Sequence, residues 1–230
     1  MGPQDRGAGY LSMRTLIVAN GTPPAPRLLR EQCQAADLVI CADGAIRTFA
    51  QNGLAPDILV GDFDSSTAAQ RSEFPNVETL HRPDQDHTDL DKCLELALEY
   101  KAKEVHLCGI LGRRLDHELS NLSSAEAYAG KFQIIVEDEY GWGIFLCADN
   151  IPVEKSFICT PGQVVSLISF SGANSVTTSG LQYPLDGEPL KFGKRLGISN
   201  VALAEKVGIT LTQGALLIYF PVISWSPAAK

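Results

Sequence analysis

The chain has 230 residues, 45% of them hydrophobic and 20% charged, with a formal net charge of −8. That length suits one large domain or two small ones, and the apolar share supports a packed core rather than global disorder. The acidic balance argues against a general nucleic-acid binder, and no apolar stretch reaches the length of a membrane span.

Residues 1–12 are Gly-rich and lack an apolar h-region, so they read as a disordered leader rather than a signal peptide. Thr15–Ala19 is strand-like and ends at Asn20-Gly21. Pro26–Ala36 suits a helix, Leu38–Ala42 a second buried strand, and Ile46–Asn52 a short helix stopped by Gly53. Ile58–Val60 is a third strand, and Asp64-Ser65-Ser66 would cap a helix starting near Thr67. Thr88–Tyr100 reads as an amphipathic helix with Leu90, Cys93, Leu94, Ala97 and Leu98 on one face. Thr88 is its expected N-cap, with Asp91 completing a variant capping box. Glu104–Cys108 is a strand, Leu115–Ala129 a helix and Gln133–Val136 a strand. Strands alternating with helices imply a parallel sheet covered on both faces.

Beyond about Asn150 helical periodicity fades. Short Val-, Ile- and Thr-rich runs separated by glycines replace it: Phe157–Cys159, Val164–Phe170, Ser175–Thr178, Ile209–Leu211 and Ala215–Phe220. The expected class is therefore α/β, an N-terminal parallel-sheet nucleotide-binding domain over 14–148 followed by a C-terminal all-β sandwich over 152–224. The six cysteines show no C-x-x-C spacing, and several sit in apolar runs as reduced core thiols do, which points to the cytoplasm.

Chemistry concentrates in three segments. Gly61-Asp62-Phe63-Asp64-Ser65-Ser66 directly follows a buried strand, where open α/β sheets place their ligands. Paired carboxylates there suit a hard cation such as Mg2+, although one such Asp alone reads more readily as a helix cap. Asp84-Gln85-Asp86-His87-Thr88-Asp89 opens a helix, and Asp43 follows the second strand. Gly109-Ile110-Leu111-Gly112-Arg113-Arg114-Leu115-Asp116-His117 is a glycine turn between strand and helix with two guanidiniums, a pattern suited to phosphate. An Arg114–Asp116 brace is the plainer alternative. Gly193-Lys194 lacks the P-loop spacing, G-x-S-x-G and G-x-G-x-x-G are missing, and the four histidines have no zinc spacing. His106 reads as a satisfied strand histidine.

These segments, with Ala42-Asp43-Gly44-Ala45 and the late Ile198-Ser199-Asn200, stand in an order that resembles the thiamine pyrophosphokinase family from Arg14 to Phe220. The resemblance implies transfer of a pyrophosphoryl group from ATP to the thiamine hydroxyl, giving thiamine diphosphate and AMP. It implies that Asp62, Asp64 and Asp89 hold Mg2+, that Asp43 completes the acidic cluster, and that Asp89 is a candidate base. It places Gln85 and Arg114 on the phosphates, with Asp86, Thr88, Gly112, Arg113, Asp116 and His117 in the same ATP-binding segments. Tyr183 would stack on thiamine, with Ser199 and Asn200 on the aminopyrimidine; a plain strand aromatic is the alternative for Tyr183. A homodimer with each site between the first domain of one subunit and the second of the other is also implied. Two departures stand out. The family commonly has Gly-Gly-Arg where this chain has Gly112-Arg113-Arg114, so Arg113 either crowds the phosphates or adds a contact; Val201 follows Asn200 where a polar residue is common. The competing readings are a non-catalytic thiamine- or nucleotide-binding protein and an Mg2+-dependent transferase with another hydroxylated acceptor.

Overall fold

The structure, a computed structural model, describes residues 13–222, so the leader reading for 1–12 and the last residues of the expected sandwich lie outside the described residues. Chain order in the first half is β1 (Arg14–Val18), α1 (Pro26–Ala35), β2 (Leu38–Ala42), a 3-10 turn (Asp43–Ala45), α2 (Ile46–Asn52), β3 (Ile58–Gly61), α3 (Ala68–Ser72), β4 (Glu78–His81), α4 (Asp89–Glu99), β5 (Glu104–Cys108), α5 (Leu115–Tyr128) and β6 (Gln133–Asp138). These strands pair in parallel in the order β4-β3-β2-β1-β5-β6. The chain leaves β1 toward β2 and later returns to β5 on its other side. The gap between the carboxyl ends of β1 and β5 is thus the topological switch point, where such sheets bind ligands.

Alternation along each strand feeds two cores. Ile17, Ile40 and Val60 pack with Leu90 and Leu94 of α4 and Ala125 of α5 on one face. Leu16, Val18 and Val39 pack with Leu29 of α1 and Ile46 and Phe49 of α2 on the other. On α4 the apolar face differs by one residue from expectation: Leu96 is buried and Leu98 is exposed. Leu96 joins the core cluster with Ile17 and Ile40, whereas Leu98 falls on the exposed last turn. The Thr88–Asp91 capping box forms as the spacing requires. On α3, Thr67 itself is the cap, paired reciprocally with Gln70, so Asp64, Ser65 and Ser66 are left for other work.

The second half contains β7 (Gly141–Ile158), β8 (Val164–Ile168), β9 (Ala173–Ser179), β10 (Glu188–Leu190), β11 (Gly197–Val201) and β12 (Lys206–Pro221). The two runs expected at 209–211 and 215–220 are one long strand with a register shift between Leu211 and Gln213. Along its length β12 changes neighbours: Gly208–Gly214 pairs with β9, and Leu217–Tyr219 pairs with β8. Two layers result, closing over Ile144, Phe157, Leu167, Val176, Leu190, Ile209 and Ile218. β7 starts antiparallel to β6 and runs on beside β12 through the domain junction expected near Asn150. The α/β sheet and the sandwich are therefore joined by hydrogen-bonded strand, not by a linker.

All six cysteines are unpaired, four of them buried. No described helix is long and apolar enough to cross a membrane.

Candidate active site

The acidic cluster is built from the ends of β2 and β3. Asp43 is fully buried and accepts from the Ser65 N–H at 2.7 Å, the Ser66 N–H at 3.2 Å and the Ser66 hydroxyl. It thereby ties the β2 turn to the loop after β3. Gly61 permits this closeness, since a Cβ there would lie 2.5 Å from that of Asp43 and 3.3 Å from Asp89 Oδ1. Phe63 has φ +66°, a left-handed value rare for an aromatic residue and typical of constrained functional loops. Its ring is held by stacking on His81 and by Arg71, whose Cζ lies 4.7 Å from the centroid. The turn brings the Asp64 N–H to Asp62 Oδ1 at 3.3 Å. Asp43, Asp62 and Asp64 each offer a carboxylate oxygen within 4.8 Å of the others.

Asp89, the first residue of α4, faces this group. Between them lies Lys92, only 3% exposed, with Nζ 3.4 Å from Asp89 Oδ1 and 3.9 Å from Asp62 Oδ2. Burial holds the Asp89 carboxyl above its ordinary value, and Lys92 offsets this only in part. Partial burial also opposes ionisation of Asp62. Hydrogen bonds from Gln85 Nε2 at 3.0 Å and from the Asp64 N–H, with Lys92 nearby, outweigh it and hold that carboxyl below its ordinary value.

Across a cleft of 400 Å³ lies the glycine turn, so Asp62, Asp64, Gln85, Thr88, Asp89, Lys92, Gly112, Arg113, Arg114 and His117 share one wall system with Asn20 at the switch point. The Gly21 N–H donates to the Gly109 carbonyl at 2.6 Å, and the Thr22 N–H to Leu111 at 2.7 Å, locking the β1 and β5 loops together. Gly112 has φ +80°, and a Cβ there would fall 1.9 Å from Thr22 Oγ1. Asn121 of α5 donates to the Ile110 carbonyl at 2.7 Å. Arg114 is paired with Asp116 through Nε at 3.1 Å and Nη2 at 2.5 Å, which holds the Asp116 carboxyl down to about 2. The brace expected as the plainer role of Arg114 is thus present. Asp86 and Asp116 do not line the cleft.

The sandwich residues lie apart from this wall. Tyr183 is 65% exposed. Asn200 is buried, and its amide is committed to the Tyr183 backbone: Oδ1 accepts from the Tyr183 N–H at 3.0 Å and Nδ2 donates to the Tyr183 carbonyl at 2.7 Å. Asn200 therefore fixes the turn that presents Tyr183. Ser199 adopts φ +56° and its N–H donates to Ser166 Oγ at 3.0 Å.

The site roles of Lys92, Ser66 and Asn20 escaped the sequence reading. The available signal for Lys92 was a lysine beside the apolar positions Cys93 and Leu94, three residues after Asp89. Replacing it with methionine, Lys92→Met, strands two carboxylates. A stability loss of about 2 kcal/mol is expected, discounted for the partial exposure of both partners. Thermal unfolding checks it, with added Mg2+ expected to recover more of the loss in the variant than it adds to the parent.

Residues 29–136 match the family model for the thiamin pyrophosphokinase catalytic domain, and 150–216 match that for its vitamin B1 binding domain. Thiamine pyrophosphokinase 3 of Oryza sativa subsp. japonica is 31% identical over 244 residues, covering 93% of this chain and 86% of its own. Thiamine pyrophosphokinase of Bacillus subtilis (strain 168) is 28% identical, covering 90% and 98%. The crystal structure of thiamine pyrophosphokinase from Bacillus subtilis superposes with a TM-score of 0.75 at 25% identity, covering 90% of this chain and 98% of that one. The thiamin pyrophosphokinase structure from Candida albicans gives 0.79 at 13% identity, covering 92% and 90%, a likeness of fold.

Proposed function

We propose a division of labour in a cleft whose family is known: the chain belongs to the thiamine pyrophosphokinase family. It transfers a pyrophosphoryl group from ATP to the hydroxyl of thiamine, giving thiamine diphosphate and leaving AMP. The observation that carries the assignment of residues is the carboxylate cluster facing a glycine-and-arginine turn across one cleft at the switch point.

The donor set fits a hard cation: clustered carboxylate oxygens, with Asp62 held in its charged form. Asp62, Asp64 and Asp89 would hold Mg2+, which neutralises phosphate charge as the β-phosphorus is attacked. Asp43 positions the loop bearing Asp62 and Asp64, and Gln85 fixes Asp62. Gly112, Arg113, Arg114 and His117 face the phosphates from the other bank. Asp86, Thr88 and Asp116 shape the two helix entries, Thr88 as the cap of α4. Such transfer needs positioning and charge neutralisation more than covalent help from the protein. Residues 14–148 form the ATP and Mg2+ unit, and 152–224 the thiamine unit.

Tyr183 and Ser199 meet thiamine, and Asn200 holds Tyr183 in place. Because the sandwich residues lie apart from the cleft, the thiamine they hold meets the phosphates of a second copy, in a homodimer. Exposed Tyr183, Ile198 and Leu203 on the sandwich, and Leu115 and Leu119 on α5, support that pairing. The free thiols fit a cytoplasmic enzyme. Tyr183→Ala is expected to raise the KM for thiamine roughly 5–30-fold, the value of a lost cation–π contact, with the KM for ATP unchanged. An unchanged thiamine KM makes Tyr183 a plain surface aromatic. The metal assignment is tested by chelation: thiamine diphosphate formation should stop with EDTA and return with Mg2+, and activity indifferent to chelator contradicts it.

A further inference from the structure

We infer that Arg47 and Arg113 together form a second phosphate anchor, seated on Asn20, that takes one phosphate of the nucleotide's triphosphate chain. The inference rests on the ATP reading of the cleft. Asn20 Oδ1 accepts from Arg47 Nη2 at 3.4 Å and from Arg113 Nη1 at 3.3 Å. Two guanidiniums thus converge on one neutral oxygen, although like charges repel. Among the described residues neither forms an ion pair, whereas Arg114 next to them is neutralised by Asp116. The unneutralised guanidinium charge gathered on Asn20, at the rim of the cleft, therefore belongs to Arg47 and Arg113, not to Arg114.

The backbone points the same way. Arg113 has φ +73°, immediately after Gly112 at +80°. A left-handed arginine costs about 1 kcal/mol that a glycine would not, and such strain collects at ligand sites. The seat itself is rigid. Asn20 packs so closely on the turn after Asp43 that a Cβ on Gly44 would lie 2.1 Å from Asn20 Nδ2. Asn20 and Arg113 line the cleft at the switch point, while Arg47, exposed on α2 outside that lining, meets them through Asn20. A phosphate's negatively charged oxygens accept from both forks and offset their repulsion, the pairing guanidinium geometry favours.

The test uses Arg113→Gly, which relieves the backbone cost, and Arg47→Gln on the helix surface. Both should raise the KM for ATP about tenfold and weaken binding of inorganic triphosphate by calorimetry to a similar degree. The KM for thiamine should stay within twofold, and the unfolding midpoint of Arg113→Gly should be unchanged or higher. ATP KM and triphosphate affinity unchanged in both variants overturn the anchor while leaving thiamine diphosphate synthesis standing. A lowered midpoint with both KM values raised alike assigns Arg113 a structural role and also overturns it. If the parent protein makes no thiamine diphosphate yet Arg113→Gly weakens triphosphate binding, the anchor stands and the reading of the reaction falls.

Discussion

Asp62→Asn is expected to lower kcat by on the order of 10³ or more while thiamine binding, followed by calorimetry, changes less than about threefold. The substitution keeps the size of the side chain and one acceptor oxygen. It removes the charge that the surroundings have been arranged to keep: Gln85, the Asp64 N–H and Lys92 all favour the ionised form. Lys92 would then face Asp89 with one counter-charge fewer, and a divalent cation would lose a ligand. The Tyr183 surface is built on another part of the fold and should be untouched. If thiamine binding collapses in parallel with turnover, the carboxylates serve the charge of the vitamin and the metal assignment is wrong.

The second large effect concerns a residue that touches no substrate in this account. Asp43→Ala removes the acceptor for three donors, the Ser65 N–H, the Ser66 N–H and the Ser66 hydroxyl. Stranding buried donors at this turn should cost about 3 kcal/mol, and for a chain of this size lower the unfolding midpoint by roughly 10 °C. Because the same loop carries Asp62 and Asp64, kcat should also fall on the order of 10²-fold, the usual penalty for displacing aligned groups by about an ångström. Asp43→Asn is the informative partner. Its carbonyl can still accept both N–H groups, and the Ser66 hydroxyl can turn to accept from the new amide. A stability loss of about 1 kcal/mol is expected there. Equal losses in the two variants would mean that the charge of Asp43, not its hydrogen bonding, holds the turn.

What the sequence made legible follows from how local the governing physics was. β3 and the Asp62 loop announce themselves because an apolar run ends abruptly at Gly61. The α4 cap is legible because Thr88 and Asp91 are three residues apart and need nothing else. β4 was not, because Glu78–His81 has no buried residue and becomes a strand only through its pairing with β3. β7 was missed along most of its length, since the loss of helical periodicity after about Asn150 read as a junction, where the strand runs through with Asn150 at φ +57°. Its order comes from fifteen cross-strand partners on β12, up to a third of the chain away. The Asp43–Ser66 tie and the Lys92–Asp62 contact were invisible for the same reason: each joins residues far apart in sequence that only the fold brings together. Asn200 shows the converse. Its position was legible, but its amide is spent on the Tyr183 backbone, a commitment that only the folded turn reveals.

The most direct test of the account is phosphorus NMR of the products formed from thiamine, ATP and Mg2+. Thiamine diphosphate and AMP appearing in equal amounts is the predicted result, since the β-phosphorus is attacked and the pyrophosphoryl group moves as a unit. Thiamine monophosphate with ADP would contradict it, placing the attack at the γ-phosphorus of the same cleft.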